Sequence, residues 1–140
     1  MLASEKFAKL IGEIIDAATE HGGIEEFGTT REQHVMVGEA GAVLMPLSIE
    51  SMVWAYPDGA VSVTHWYAMN GDTMMDPMVV VTLEGEPVEY QQDGVFGGYE
   101  RYDIGVVSAK KADLVKFLDT WADNLRHMWL PMAKGEVKYG

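Results

Sequence analysis

Cysteine is absent from the 140 residues of this chain, which excludes disulfides, thiolate catalysis and cysteine-ligated zinc or iron–sulfur sites. No apolar run approaches the ~20 residues of a membrane-spanning helix. The first residues, MLASEKFAKLIGEII, mix charged and apolar side chains and do not resemble a signal peptide. We therefore expect a cytoplasmic protein. Phosphate-binding glycine loops, Gly-x-Ser-x-Gly and His-Glu-x-x-His are also missing, so no recognised catalytic motif is present.

Lysine and arginine are absent from residues 32–100, a segment that contains eleven acidic residues. The net charge is −12, and the flanking segments contain ten basic and eleven acidic residues, a net charge of only −1. Such an acidic surface repels nucleic acid and acidic membranes and attracts basic proteins or divalent cations. We expect neither direct nucleic-acid binding nor membrane binding. A role in solubility alone fits the same charge equally well.

Length and composition indicate one folded domain. The chain is 48% hydrophobic and 23% charged, as is usual for globular proteins. No repeat, low-complexity segment or linker divides it, so residues 1–140 are interpreted as a single domain.

Apolar residues spaced by three and four predict a helix from Ser4 to about Glu20 and a second from about residue 109 to 128, capped by Ser108 and ended by Pro131. Residues 24–31 are interpreted as loop. Strands are predicted at residues 33–37, 60–68, 78–83, 88–92 and 96–103, and within 42–55. The connections are too short for parallel crossovers. We therefore expect an α+β fold, with a mostly antiparallel meander of about four to six strands packed against both helices.

Two stretches resemble a known family. They are HWYAMNGDTMMDPMVVV (residues 65–81) and PVEYQQDGVFGGYERY (residues 87–102). They are similar to a family of small uncharacterised domains common in bacteriophages and mobile elements, with the pattern His-x-Tyr…Asn-Gly-Asp-x-Met-x-Asp-Pro…Tyr-Gln-x-Asp…Gly-x-Tyr. The upstream MPLSIE and a closing helix with Trp121 and Asn124-Leu125-Arg126 extend the resemblance to roughly residues 33–127. One departure is Trp66, where the family more often has tyrosine. The resemblance implies a phage, plasmid or integrated-element setting and no reaction.

Polar side chains crowd the connection between the two central strands. His65, Asn70, Asp72 and Asp76, together with Glu50, provide the imidazole and oxygen ligands that divalent cations use. A helical turn over residues 72–76 would place both aspartates on one side. The alternative interpretation is structural, because Asn-Gly favours a tight hairpin and aspartates bond to loop amides. We favour this structural role, with His65 as a hydrogen-bonded core histidine.

A second candidate site lies further along the chain. Gln91, Gln92 and Asp93 come shortly before Tyr99, and a mixture of amides and aromatic rings is typical of recognition surfaces. A plain sheet edge with its loop explains the same residues equally well. Trp54, Trp66 and Trp121 are expected to anchor the core.

These observations favour a non-enzymatic accessory protein of a phage or mobile element, which contacts a protein partner through an acidic sheet surface. The partner would be basic or DNA-binding, and one form of this hypothesis is DNA mimicry. The alternative is a small metal-dependent enzyme or metal-stabilised domain that uses His65, Asp72 and Asp76. No cofactor is expected on the first hypothesis, and a divalent cation is required on the second. A homodimer through a sheet edge is a third possibility.

Overall fold

The computed structural model describes most of the chain, with gaps in connecting segments. It covers residues 2–20, 24–26, 33–38, 44–52, 56, 58–69, 72–93, 99–103 and 108–136.

Along the sequence, one helix precedes a run of seven strands and a second helix follows it. The helices are α1 (Glu5–Glu20) and α2 (Ser108–Ala133). The strands are β1 (Ile24–Glu26), β2 (Gln33–Val37), β3 (Leu47–Ser51), β4 (Ala60–Met69), β5 (Asp72–Thr82), β6 (Pro87–Asp93) and β7 (Tyr99–Asp103).

The strands form one sheet in the order in which they occur along the chain, and every neighbouring pair is antiparallel. This meander and its two helices confirm the predicted α+β class. The sheet has seven strands rather than four to six, because residues 24–26, interpreted as loop, pair with β2. Three residues with two glutamates provide little strand propensity of their own, so the pairing partner supplies the stabilisation.

The start of α1 follows the prediction from the sequence. The backbone amide of Phe7 donates to the hydroxyl of Ser4 over 3.1 Å, the bond expected of an N-cap serine. The apolar stripe of the helix is fully buried at Phe7, Leu10 and Ile14. Each such side chain contributes about 1.5–3 kcal/mol relative to an exposed position.

Both helices pack on the same face of the sheet, which we call the inner face. Alternate residues of the central strands point to it, and they form one buried cluster with the helical stripes. The strand residues of this cluster are Val35, Val37, Leu47, Ile49, Val63, Val79 and Val81. The helical residues at its centre are Phe7, Leu10, Ile14, Leu118, Trp121 and Leu125.

The helices run roughly parallel, because their contacts advance together along both chains. Ser4 contacts Asp119, Lys6 pairs with Asp123 at 2.5 Å, and Arg126 pairs with Glu13 at 2.7 Å. The two ion pairs are solvent-exposed and contribute little to stability. Buried side chains between the helices therefore supply most of the packing energy.

The second helix does not end at Pro131, as predicted, but continues to Ala133. Gly135 stops it instead, with φ of 73°. The amide of Gly135 donates to the carbonyl of Met132, and the amide of Glu136 donates to the carbonyl of Pro131. This is the Schellman pattern of a glycine-terminated helix. The extra length brings Trp129 and Leu130 into the core.

Candidate functional site

The central pair of strands is longer than predicted, and the polar connection between them is almost entirely strand. Met69 of β4 pairs with Asp72 of β5, so only two residues separate the strands in sequence. This spacing agrees with a tight Asn-Gly hairpin. Asn70 itself lies outside the described residues.

Asp72 and Asp76 lie on one continuous strand rather than on a helical turn. Four strand residues separate them by about 13 Å, whereas four helical residues would separate them by about 6 Å. The backbone therefore removes the geometric reason for expecting both aspartates at one cation. The metal site stays a prediction.

A β-bulge interrupts the pairing beside His65. Thr64 pairs with Met78 and Trp66 with Met75, so that His65 alone lies opposite Asp76 and Pro77. Proline cannot donate to a sheet ladder and is tolerated in sheets at such bulges. The Asp-Pro pair thus has a structural explanation.

His65 is buried on the inner face, with 4% of its surface exposed. Its Nδ1 lies 3.4 Å from the carbonyl oxygen of Pro46. The ring lies against two indoles, with centroids 4.5 Å from Trp129 and 5.3 Å from Trp121. These contacts fit a core histidine, which is the role that the sequence favoured.

Glu50 lies on the opposite face of the sheet from His65. His65 pairs with the buried Leu47, and Glu50 pairs with Ser62 and is exposed. One ion cannot bind to both side chains across the sheet. Among the residues whose side chains are described, no three His, Asp or Glu residues form a group that could hold a metal ion.

The second candidate site lies on the hairpin of β6 and β7. Asp93 pairs with Tyr99, and Gln92 pairs with Glu100. Gln91 is half-buried and pairs with Met78 on its other side. These residues are therefore positioned by sheet pairing, near the end of the sheet formed by β6 and β7.

The sheet face turned away from the helices, which we call the outer face, carries a different set of side chains. Strand alternation and register place eleven described side chains of β2–β6 on it. They are His34, Met36, Ser48, Glu50, Ser62, Thr64, Trp66, Met78, Val80, Glu89 and Gln91.

Hydroxyl groups at the centre of the outer face bond to its other side chains. The indole nitrogen of Trp66 donates to the hydroxyl of Ser48 over 3.1 Å, and the hydroxyls of Ser62 and Thr64 lie 3.5 Å apart. Trp66, expected as a core anchor, is only half-buried here. The outer face is thus a mixed surface of hydroxyl, methionine, indole and carboxylate groups.

Charge separates the two layers of the fold. Every lysine and arginine whose side chain is described lies on the helices or just after α2: Lys6, Lys9, Lys111, Lys116, Arg126 and Lys134. The described carboxylates of the outer face are Glu50 and Glu89, and the phenol of Tyr56 donates to Glu89 over 2.7 Å. Strands β2–β6, which carry these side chains, contain no lysine or arginine, whereas β7 contains Arg101, which pairs with Gln91.

Two residues that stabilise the packing and the sheet surface were not identified from the sequence. Trp129 is buried, and its indole nitrogen donates to the carbonyl of Met45 over 3.1 Å. Tyr56 was interpreted only as part of a turn. The amide of Gly59 does bond to the carbonyl of Tyr56 over 2.9 Å and closes that turn. The hydrogen bond from the Tyr56 hydroxyl to Glu89 joins positions 33 residues apart, which no local pattern indicates.

Within the described part of the chain, neither helix has the length and apolarity needed to cross a lipid bilayer.

The fold and its surfaces define a small α+β domain with a helix-covered inner face and an outer face of mixed polar and apolar side chains. The family model described as "Domain of unknown function (DUF6908)" matches residues 11–127, and the chain belongs to this family. The match begins within α1, upstream of the resemblance noted from residue 33. No curated protein and no solved structure matches the chain.

Proposed function

We propose that this protein is a non-enzymatic accessory protein of a phage or mobile element, which acts in the cytoplasm by binding a protein partner with its outer face. The observation that supports the proposal is the one-sided packing of the sheet. Both helices pack on the inner face, and Met36 and Glu50 are exposed on the outer face, whereas Thr64 and Val80 at its centre are buried. The mobile-element setting rests on the motif resemblance alone.

The charge of the outer face favours a basic partner. Glu50 is exposed there, and residues 32–100 contain no lysine or arginine. Complementary charge accelerates encounter and disfavours partners of the same sign. A basic or DNA-binding protein is the partner class that this surface would select.

DNA mimicry is the less favoured form of the proposal. Glu50 on β3 and Glu89 on β6 are separated by three strand spacings, about 14 Å, whereas DNA carries one phosphate charge per ~1.7 Å of its axis. The described carboxylates are too sparse to reproduce that density. General protein recognition is therefore favoured over imitation of a duplex.

The proposal is tested by affinity capture from a lysate of the native host, followed by mass spectrometry. Parent protein is compared with Glu50→Lys, which alters the outer face, and with Asp113→Lys, which makes the same charge change at an exposed position of α2. We expect a partner that is retained by the parent and Asp113→Lys and lost from Glu50→Lys. Loss from both variants, or from neither, would contradict the proposal. Elution of the partner by duplex DNA would identify mimicry.

A further inference from the structure

A cavity of about 550 Å³ lies between the second half of α1 and the end of α2. Its volume falls within the range of ~300–1,000 Å³ that is usual for small-molecule sites. The buried side chains of Ala17 and Leu130 form the apolar part of its lining, and charged side chains form the rest. Because the cavity belongs to the helical layer, it is separate from the outer face of the sheet.

The wall that α1 contributes is acidic. Asp16 and Glu20 line it, and their spacing of four helical residues places their Cβ atoms about 5–6 Å apart. Glu20 is the last residue of α1, and the last turn contains no basic residue. The negative end of the helix dipole disfavours a carboxylate at this position. A cationic group in the cavity would therefore relieve an unfavourable interaction.

The wall that α2 contributes is basic. Arg126 lines it and pairs with Glu13 at 2.7 Å, so its charge is already compensated. Lys134, the residue that follows α2, also lines it. Lys134 forms no ion pair with any residue in the described part of the chain. Its amide donates to the carbonyl of Leu130 over 3.0 Å, so the end of the helix fixes the position of this cation.

Glu20 and Lys134 lie level with one another on the two helices. Glu13 pairs with Arg126, which follows it by 113 residues, and Lys134 follows Glu20 by nearly the same number. The axes of packed helices are about 8–10 Å apart. A molecule in the cavity thus meets a carboxylate on one side and an ammonium group on the other.

We infer that this cavity binds a free α-amino acid with an apolar side chain. The ammonium group of the ligand faces Asp16 and Glu20, and its carboxylate faces Lys134. The side chain of the ligand lies against Ala17 and Leu130. A purely cationic ligand would be repelled by the basic wall and a purely anionic one by the acidic wall, whereas a zwitterion complements both. This second site does not depend on the proposed function of the outer face.

The test is a titration of the full chain with L-leucine, followed by amide chemical-shift changes in NMR spectra. Two analogues each lack one charge: isocaproate has no ammonium group, and isoamylamine has no carboxylate. We expect saturable binding of L-leucine and at least tenfold weaker binding of each analogue, because hydrogen bonds to charged groups are the stronger ones. Absence of saturable binding by L-leucine, or equal binding by either analogue, would overturn the inference.

Matched variants locate the binding. Lys134→Gln removes the unpaired cation of the cavity, and Lys116→Gln makes the same change on α2 outside the cavity. Glu20→Gln and Glu5→Gln form the corresponding pair on α1. We expect Lys134→Gln and Glu20→Gln each to weaken L-leucine binding at least tenfold, and both control variants to leave it unchanged.

All four substitutions lie at exposed positions, so the variants should keep the fold, which circular dichroism verifies. Unchanged binding by a folded Lys134→Gln or Glu20→Gln protein would remove the cavity as the site. An equal loss in the control variants would reduce the effect to the net charge of the chain. Either result would overturn the inference.

Discussion

The backbone amide of Ser4 donates a hydrogen bond to the carbonyl oxygen of Gly85 over 3.0 Å, and so joins the start of α1 to the turn between β5 and β6. Gly85 has φ of 92°, and a Cβ atom there would lie 2.1 Å from the carbonyl oxygen of Ser4. Only glycine fits both the conformation and this close approach. The contact fixes where α1 begins relative to the sheet.

Gly85→Ala is expected to destabilise the fold by at least ~2 kcal/mol, from left-handed backbone strain and the clash with Ser4. Urea unfolding followed by circular dichroism measures the change. Gly12→Ala is the control, because a Cβ atom at Gly12 meets nothing within 4 Å. That substitution should stabilise α1 by about 0.5–1 kcal/mol. Equal effects of both substitutions would contradict the described contact.

Ser4 and Asp119 should be energetically coupled. The Ser4 hydroxyl donates to Asp119 Oδ1 over 2.5 Å while it accepts the Phe7 amide. Ser4→Ala should cost about 1–2 kcal/mol through the lost cap, and part of that cost should vanish when Asp119 is already alanine. A double-mutant cycle measures this coupling, expected near 1 kcal/mol. Ser4 with Asp113, an exposed carboxylate of the same helix, should give a coupling below ~0.5 kcal/mol.

Truncation should show that the end of α2 is needed for folding and that the residues beyond it are not. A chain that stops after residue 128 loses the buried Trp129, Leu130 and Ala133, and we expect it not to fold cooperatively. Removal of a buried tryptophan alone costs about 3–5 kcal/mol, a large part of a domain's stability. A chain that stops after residue 136 keeps the glycine-terminated helix end and should melt cooperatively. Thermal unfolding of both chains checks the difference.

Chelation should leave the melting temperature unchanged, because the strand separates Asp72 from Asp76 by about 13 Å. The measurement is a thermal melt with EDTA, then with Mg²⁺, Mn²⁺, Ca²⁺, Ni²⁺ or Zn²⁺ added singly in excess. The Asp72→Asn/Asp76→Asn double variant is the control. A cation that stabilises the parent alone would support the metal-dependent alternative.

The strands flanking the central hairpin were predictable because their apolar residues alternate or cluster. The strand over residues 72–77 was not predictable, because two aspartates and a proline are typical of loops. Pairing with residues 66–69 overrides that local preference. Trp129 was missed because Pro131 predicted an earlier helix end, whereas the helix continues past it to Ala133 and ends at Gly135.

The candidate site could be predicted only in its composition. The sequence showed directly that the strands within residues 32–100 carry no lysine or arginine, although Arg101 lies on β7. Which side chains share a face depends on register. Glu50 and His65 both lie on strands adjacent in the sheet, yet pairing with Ser62 and Leu47 places them on opposite faces. Register depends on all strands together, so no single motif contains this information.

Because α1 packs against α2, one step of folding must wait until synthesis of the chain is almost complete. Ser4 and Asp119 are 115 residues apart in sequence, whereas each strand pairs with its immediate neighbour. On the ribosome, the strands can pair in order as they emerge, but the apolar stripe of α1 cannot meet α2 until the whole sheet has been translated. Contacts of such long sequence separation form slowly, and exposed apolar surface promotes aggregation in the interval. A nascent chain stalled before α2 should therefore recruit chaperones that the completed domain does not need.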